Sequence, residues 1–277
     1  MSVREVRSLL RKYNVRLSRR KGQSLLVNPR IVSREISYAE IGRDDVVVEV
    51  GAGLGTLTRA LAEKAGKVYA IELDKRLVAI LEDRLSHFDN VEIIHGDALE
   101  VDFPPFNKIV SNPPYSISAP LILKIAPLKF ERAVLTFQLE FAERLVAKPG
   151  SKQYGRLSVS VQHYLNTKIL EKIGRENFFP PPKVDSAIVL LTPRPSPPRI
   201  NSTFLSDITR QLFTTPNKKV RHRVFRILEK LDVPKDGISR LVERCPIAEK
   251  RVRQLTPKEV EDLASWIWRL IDERKKD

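Results

Sequence analysis

Val46-Val47-Val48-Glu49-Val50-Gly51-Ala52-Gly53-Leu54-Gly55 decides the fold. Its apolar, β-branched start has the length and composition of a buried strand. Glycines then stand at 51, 53 and 55, and Leu57, Leu61 and Ala65 follow at helical spacing. The pattern is strand, glycine turn, helix. Glycine lets the backbone come close to a ligand, and the helix N-terminus offers free N–H groups. Val68-Tyr69-Ala70-Ile71 is the next strand, and Glu72 ends it, 21 residues after Gly51. A carboxylate at about that separation accepts hydrogen bonds from ribose hydroxyls in nucleoside-binding α/β folds. Leu73 to Leu85 is predicted as a helix and Val91 to His95 as a third strand. Gly96-Asp97-Ala98 follows, so Asp97 also sits at a strand's carboxyl end. There it either accepts from an adenine amino group or caps a turn.

Further along, Lys108-Ile109-Val110-Ser111 reads as a buried strand that breaks into Asn112-Pro113-Pro114-Tyr115. Neither proline has an N–H for a sheet ladder, so these four residues form a stiff loop at a strand's carboxyl end. Ala133 to Phe137 is a fifth strand and Leu139 to Ala147 a helix. Tyr154 to Tyr164 fits a strand by alternation and a helix by the spacing of Leu157, Val161, Tyr164 and Leu165. Lys168 to Ile173 and Ala187 to Leu191 are strand-like, and Pro193 to Pro198 is a linker. Beyond it the pattern is helical over Phe204 to Phe213, Val220 to Leu231, Gly237 to Glu243 and Pro257 to Ile271. Upstream, Asn28-Pro29 starts a helix with Ile31, Val32 and Ile36 on its packing face. Strands alternating with helices predict an α/β fold with a parallel, doubly wound sheet. Three regions are expected: a partly disordered basic arm over 1–21, a catalytic body over 22–194 and a basic helical domain over 195–277.

Charge follows that division. The chain has 277 residues and a net charge of +15. Residues 1–22 hold 8 basic and 1 acidic side chains (+7), residues 23–199 hold 23 and 21 (+2), and residues 200–277 hold 18 and 12 (+6). A near-neutral body between basic ends suits a polyanion held by the ends and worked on by the middle. Cys245 is the only cysteine, which excludes an internal disulfide and a cysteine-built metal site and suits a reducing cytoplasm. The histidines at 87, 95, 163 and 222 show no ligand spacing, so no metal is expected. No apolar run approaches the roughly 18 residues of a transmembrane helix, and no leader segment is evident, so no membrane partner is expected.

The glycine turn, Glu72, Asp97 and Asn112 stand at successive strand ends and converge on one crevice. The dinucleotide fingerprint wants a third glycine where Thr56 stands, and a phosphate-binding loop wants Gly-Lys-Ser/Thr, which is absent. A nucleoside without phosphates fits better, and S-adenosylmethionine is one.

At this point the chain resembles a class I methyltransferase, and more closely the KsgA-type rRNA adenine N6-dimethyltransferases, with the Erm methyltransferases as cousins. The resemblance rests on Gly22-Gln23-Ser24-Leu25-Leu26, Glu49 to Gly55, Ala70-Ile71-Glu72 and His95-Gly96-Asp97-Ala98. It also rests on Ser111-Asn112-Pro113-Pro114-Tyr115-Ser116-Ile117-Ser118 and Phe178-Phe179-Pro180-Pro181-Pro182-Lys183-Val184-Asp185-Ser186. It implies a Rossmann-like sheet, mostly parallel with one antiparallel strand near an edge. It also implies cofactor contacts at Gln23, Ser24, Leu26, Gly51, Gly53, Glu72, Asp97, Ala98 and Asn112. The reaction implied is methyl transfer from S-adenosylmethionine to the N6 amino groups of two adjacent adenosines of small-subunit rRNA, in an immature subunit, by a cytoplasmic monomer. Asn-Pro-Pro-Tyr is also typical of DNA adenine and protein glutamine methyltransferases, which stand as an alternative, as does a mainly non-catalytic assembly factor.

Adenine N6 is a poor nucleophile because its lone pair is delocalised into the ring. Acceptors for both amino hydrogens favour a pyramidal nitrogen whose lone pair faces the methyl sulfonium. The side-chain oxygen of Asn112 and the carbonyl of Pro113 are the expected acceptors. Tyr115 is the expected stacking platform for an unstacked base, and Phe178 is a second candidate whose alternative is core packing.

Overall fold

The computed structural model describes residues 1–18, 22–198, 200–230 and 235–274. Arg19, Arg20 and Lys21 of the basic arm, and Leu231 at an expected helix end, lie outside the described residues. Contacts divide the chain into two compact units: Met1–Glu143 with Leu165–Pro193, and Arg144–Tyr164 with Arg194–Asp277.

The first unit is built on a seven-stranded sheet. Its strands are β2 (Val46–Val50), β3 (Lys67–Glu72), β4 (Val91–His95), β5 (Lys108–Ser111), β6 (Arg132–Gln138), β7 (Leu165–Ile173) and β9 (Ser186–Pro193). They lie in the order β4-β3-β2-β5-β6-β9-β7. Neighbours from β4 to β6 are parallel, and β9 runs antiparallel to both β6 and β7. The expected sheet is therefore present, its one reversed strand a place in from the edge. Strand order reverses between β2 and β5, and ligands of such sheets bind outside the carboxyl ends at that point. A separate ribbon pairs β1 (Leu25–Leu26) with β8 (Phe178–Phe179).

Helices α1 (Val3–Lys12), α2 (Pro29–Ala39), α3 (Thr56–Ala62), α4 (Lys75–Leu85) and α5 (Ser118–Ile125) complete this unit, and α6 (Leu139–Leu145) follows β6. At the start of α2, the Asn28 side chain accepts from the Arg30 N–H at 3.0 Å, with Pro29 in the first turn. Ile31, Val32 and Ile36 are buried as their spacing predicts, and Glu35 is buried with them. The N-terminal arm differs from expectation. Residues 3–12 are helical, with a Ser2–Glu5 capping box. Val6 and Leu10 are buried against Leu54, Leu77 and Ile80. Charge dominates this stretch in the sequence, but its narrow apolar stripe finds partners on distant elements.

The second unit gathers α7 (Arg156–Gln162), α8 (Ser202–Leu212), α9 (Val220–Glu229), α10 (Lys235–Glu243) and α11 (Pro257–Arg274). The ambiguous stretch around 154–164 is thus helical over 156–162. Ala147, Tyr154 and Val159 are buried among Leu205, Leu212, Val224, Val260 and Ile267. That shared core is why Arg144–Tyr164 groups with the helical unit and not with the expected 22–194 body.

Candidate active site

The carboxyl ends of β2 and β5 are tied by one side chain. Ser111 Oγ donates to the Val50 carbonyl at 2.5 Å and accepts from its N–H at 3.3 Å. Gly51, the next residue, has φ +75°, and a Cβ there would come within 2.7 Å of Pro114 Cδ. The glycine turn is therefore required for the Asn-Pro-Pro-Tyr loop to close against it. Gly53, at φ +59°, donates its N–H to Glu72 Oε2 at 2.9 Å. Asp74 N–H donates to the other Glu72 oxygen at 2.9 Å. Burial raises the Glu72 pKa, and these backbone hydrogen bonds oppose the rise.

Two cavities open here. One, of about 270 Å³, is lined by five of the expected cofactor residues, Gln23, Gly51, Glu72, Asp97 and Ala98, together with Ile71, Leu73 and Ile117. The other, of about 340 Å³, is lined by Ser24, Tyr115, Gln138 and Pro180 to Lys183. Gln23 and Ser116 line both, so the cavities adjoin. Asp97 Oδ1 accepts from the Leu99 N–H at 2.9 Å, the turn-forming geometry that was its other reading. Ser24 belongs to the second cavity, its hydroxyl donating to the Pro180 carbonyl at 2.6 Å.

Of the expected residues, Leu26, Gly53, Asn112, Pro113 and Phe178 line neither cavity. Leu26 and Phe178 are buried together in the core of the first unit, so Phe178 offers no open face to a base. The cause is the phase of a pleat. Leu26 pairs with Phe178 and Leu25 with Phe179, and successive side chains point to opposite faces. Phe179 faces the other way and lies under the Arg7 guanidinium, 5.3 Å from the ring centre. Tyr115 is the aromatic ring left on the second cavity. Its hydroxyl lies 2.6 Å from Ser186 Oγ, and burial pushes its pKa up to about 12.

Asn112 is half-buried between buried Ser111 and Pro113, and the residues that follow, Pro114 and Tyr115, line the first and the second cavity. Its Nδ2 donates to Glu35 Oε2 at 3.0 Å. Its Oδ1 is buried and has no hydrogen-bond partner. A buried acceptor left without a donor is rare and costs about 1–3 kcal/mol, so it marks a position where a ligand donor belongs. Glu35 and its second partner, Thr136, were missed in the sequence. The available signal was a carboxylate inside the apolar stripe Ile31, Val32, Ile36 and Ala39. Glu49 is also buried, and burial pushes its pKa up to about 8.

The second unit carries a groove of about 590 Å³ lined by Lys218, His222, Arg223 and Arg226, with Phe225 among them. The cations of this unit are only partly neutralised. Glu249 pairs with both Lys219 and Arg221, at 2.5 and 2.9 Å.

Comparison with known proteins gives consistent matches. The family described as ribosomal RNA adenine dimethylase matches residues 14–256. A probable ribosomal RNA small subunit methyltransferase A of Thermococcus gammatolerans is 46% identical over 94% of this chain and 92% of its own length. A protein of the same name from Methanosarcina acetivorans is 40% identical over 96% and 98%. Among solved structures, a dimethyladenosine transferase from Plasmodium falciparum superposes with a TM-score of 0.77 at 34% identity, covering 85% of this chain and 94% of that one. The 23S rRNA methyltransferase ErmE gives 0.63 at 29% identity, over 87% and 98%.

Proposed function

The chain belongs to the ribosomal RNA adenine dimethylase family, and on that premise we propose how its residues carry the reaction. It transfers methyl groups from S-adenosylmethionine to the N6 amino groups of two adjacent adenosines of small-subunit rRNA, giving dimethyladenosines during ribosome biogenesis. The orphaned, buried Oδ1 of Asn112, on the loop whose Pro114 lines the first cavity and whose Tyr115 lines the second, carries this reading.

Each Glu72 oxygen takes one backbone N–H and keeps a lone pair for a ribose hydroxyl. Ile71, Leu73, Ala98 and Ile117 supply apolar walls for a flat purine, and Asp97 an acceptor for its amino group. These residues fit S-adenosylmethionine, which when bound supplies an electrophilic methyl on a sulfonium. The target adenine enters the second cavity and stacks on Tyr115. In the first transfer Asn112 Oδ1 and the Pro113 carbonyl accept its two amino hydrogens and turn the nitrogen lone pair toward the methyl; the methylated nitrogen then loses a proton to solvent, and in the second transfer one of the two acceptors holds the single N–H that remains. The protein contributes position and fixed dipoles, with no covalent step. The groove at Lys218, His222, Arg223 and Arg226 holds RNA phosphates, with Phe225 as an apolar floor.

The test is methyl transfer from labelled cofactor to immature small subunits, followed by nucleoside analysis. Dimethyladenosine in the rRNA is expected. Labelling of duplex DNA or of a glutamine-bearing peptide instead, with rRNA unmodified, overturns the proposal.

A further inference from the structure

Glu35 has no exposed surface. Its Oε2 accepts from Asn112 Nδ2 at 3.0 Å, and its Oε1 accepts from the Thr136 hydroxyl at 2.6 Å. Among the described residues no cation is bonded to it. Its neighbour Arg34 is engaged by Glu171 instead, through two hydrogen bonds of 2.6 and 2.7 Å. A buried carboxylate without a cation is costly, and an apolar side chain of similar size would pack this helix face at less cost. Core packing therefore does not account for Glu35.

We infer that Glu35 is the positioning residue for the adenine acceptor. By taking the Nδ2 hydrogen it fixes which way the Asn112 amide points, with Oδ1 free for the target amino group. Its negative charge, relayed through the polarised amide, also makes Oδ1 a stronger acceptor as positive charge develops on N6. Thr136 holds the carboxylate from the other side, so helix α2 and strands β5 and β6 together set one side-chain orientation. The inference rests on the assignment of Asn112 as acceptor.

The charge state of Glu35 then matters. Burial pushes its carboxyl up to about 7, against the opposing hydrogen bonds of Thr136 and Asn112. Glu171 on β7 adds to the rise and Arg34 reduces it. Glu49 on β2 and Tyr115 are the other titratable groups coupled to it. Once protonated, Glu35 becomes a donor, and an amide flip that presents Oδ1 to it would remove the acceptor from the site.

The experiment is single-turnover methylation of immature small subunits by the full-length protein, from about pH 5 to 9, with cofactor affinity measured by calorimetry. Glu35→Gln, nearly isosteric, is expected to lower the methyl-transfer rate about tenfold at pH 8, the difference between a charged and a neutral hydrogen-bond partner. It is also expected to leave cofactor affinity within about twofold and to abolish the acid limb near pH 7. Asn112→Ala serves as the reference. If Asn112→Ala is inactive and Glu35→Gln keeps the wild-type rate and pH profile, the inference about Glu35 is overturned and the acceptor assignment stands. If Asn112→Ala keeps the wild-type rate, the acceptor assignment itself falls. In the double variant the two losses do not add, because Glu35 acts only through Asn112; full additivity also overturns the inference.

Discussion

The two ends of the parallel sheet treat buried charge in opposite ways. At the amino end, Asp45 and Lys108 form an ion pair at 2.8 Å, and Lys108 also donates to the Glu40 carbonyl at 2.6 Å. Asp45 further accepts from the Gly42 N–H and the Asn107 amide, and its pKa is lowered although burial pushes the other way. Glu35, Glu49 and Glu72, on the α2 and β2–β3 side that leads to the carboxyl end, have no cation bonded to them among the described residues, and burial raises the pKa of all three. One end has its charges matched by its own side chains. The other keeps carboxylates and an amide oxygen desolvated, with capacity for partners that arrive with a ligand. Glu72 lines the first cavity and Glu35 holds Asn112 on the neighbouring loop, and perturbed groups gathered this way point to a functional site.

Breaking the functional end should have the largest effect on rate and little on stability. Asn112→Ala is expected to slow methyl transfer by about 100- to 1000-fold, as for loss of one positioned transition-state partner. Its thermal midpoint should stay within about 2 °C of wild type, because the lost donor to buried Glu35 is offset by removal of the buried, unpaired Oδ1. A parallel loss of stability would mean that the two ends are not distinct.

Lys108→Met is the reciprocal change. It leaves Asp45 buried without its cation and is expected to cost about 3 kcal/mol in chemical denaturation. Methyl transfer per folded molecule should be unchanged, and a fall in rate beyond the loss of folded protein would refute the division.

Glu72→Gln is expected to weaken S-adenosylmethionine binding about tenfold by calorimetry, since it removes the charge and turns one of the two acceptor oxygens into an NH2 donor that faces a backbone N–H. RNA affinity should not move.

Stability also depends on pH. Glu35 and Glu49 have folded pKa values pushed up to about 7 and about 8. Between the unfolded value of about 4.5 and those values, the folded chain binds more protons than the unfolded one. Stability of the ligand-free protein should therefore rise by roughly 2 kcal/mol as pH falls from about 8 to about 6.5, while activity declines. Below that, buried His163, held down at about 4, offsets about half of the further rise, because the unfolded chain then binds that proton while the folded chain keeps two on the carboxyls. A flat profile from pH 8 to 6.5 would show that the carboxylates are stabilised by contacts not described above.

Much of the site was legible because its signals are local. A β-branched run, alternate glycines and the spacing of Leu57 and Leu61 specify a strand, a turn and a helix without reference to the rest of the chain. Glu72, Asp97 and Asn112 were found by the same means, each by its place at the end of such a strand. What stayed hidden depends on partners far away in sequence. Phe178 had the composition of a stacking platform, but its pairing with Leu26 across the β1–β8 ribbon turned the ring into the core. The N-terminal arm looked too charged to fold, yet Val6 and Leu10 find Leu54, Leu77 and Ile80. Glu35 went unread, because its partners Asn112 and Thr136 lie 77 and 101 residues away in the chain.

The sequence by itself determined the order of elements, the reversal-point crevice and the residue types that meet there, because backbone sterics and side-chain periodicity act over a few residues. Only the tertiary structure decided the phase of the two-residue strands, the grouping of Arg144–Tyr164 with the helical unit, and the contact that fixes the Asn112 amide. Those depend on desolvation and on which distant surface supplies a partner, and neither quantity exists until the chain has folded.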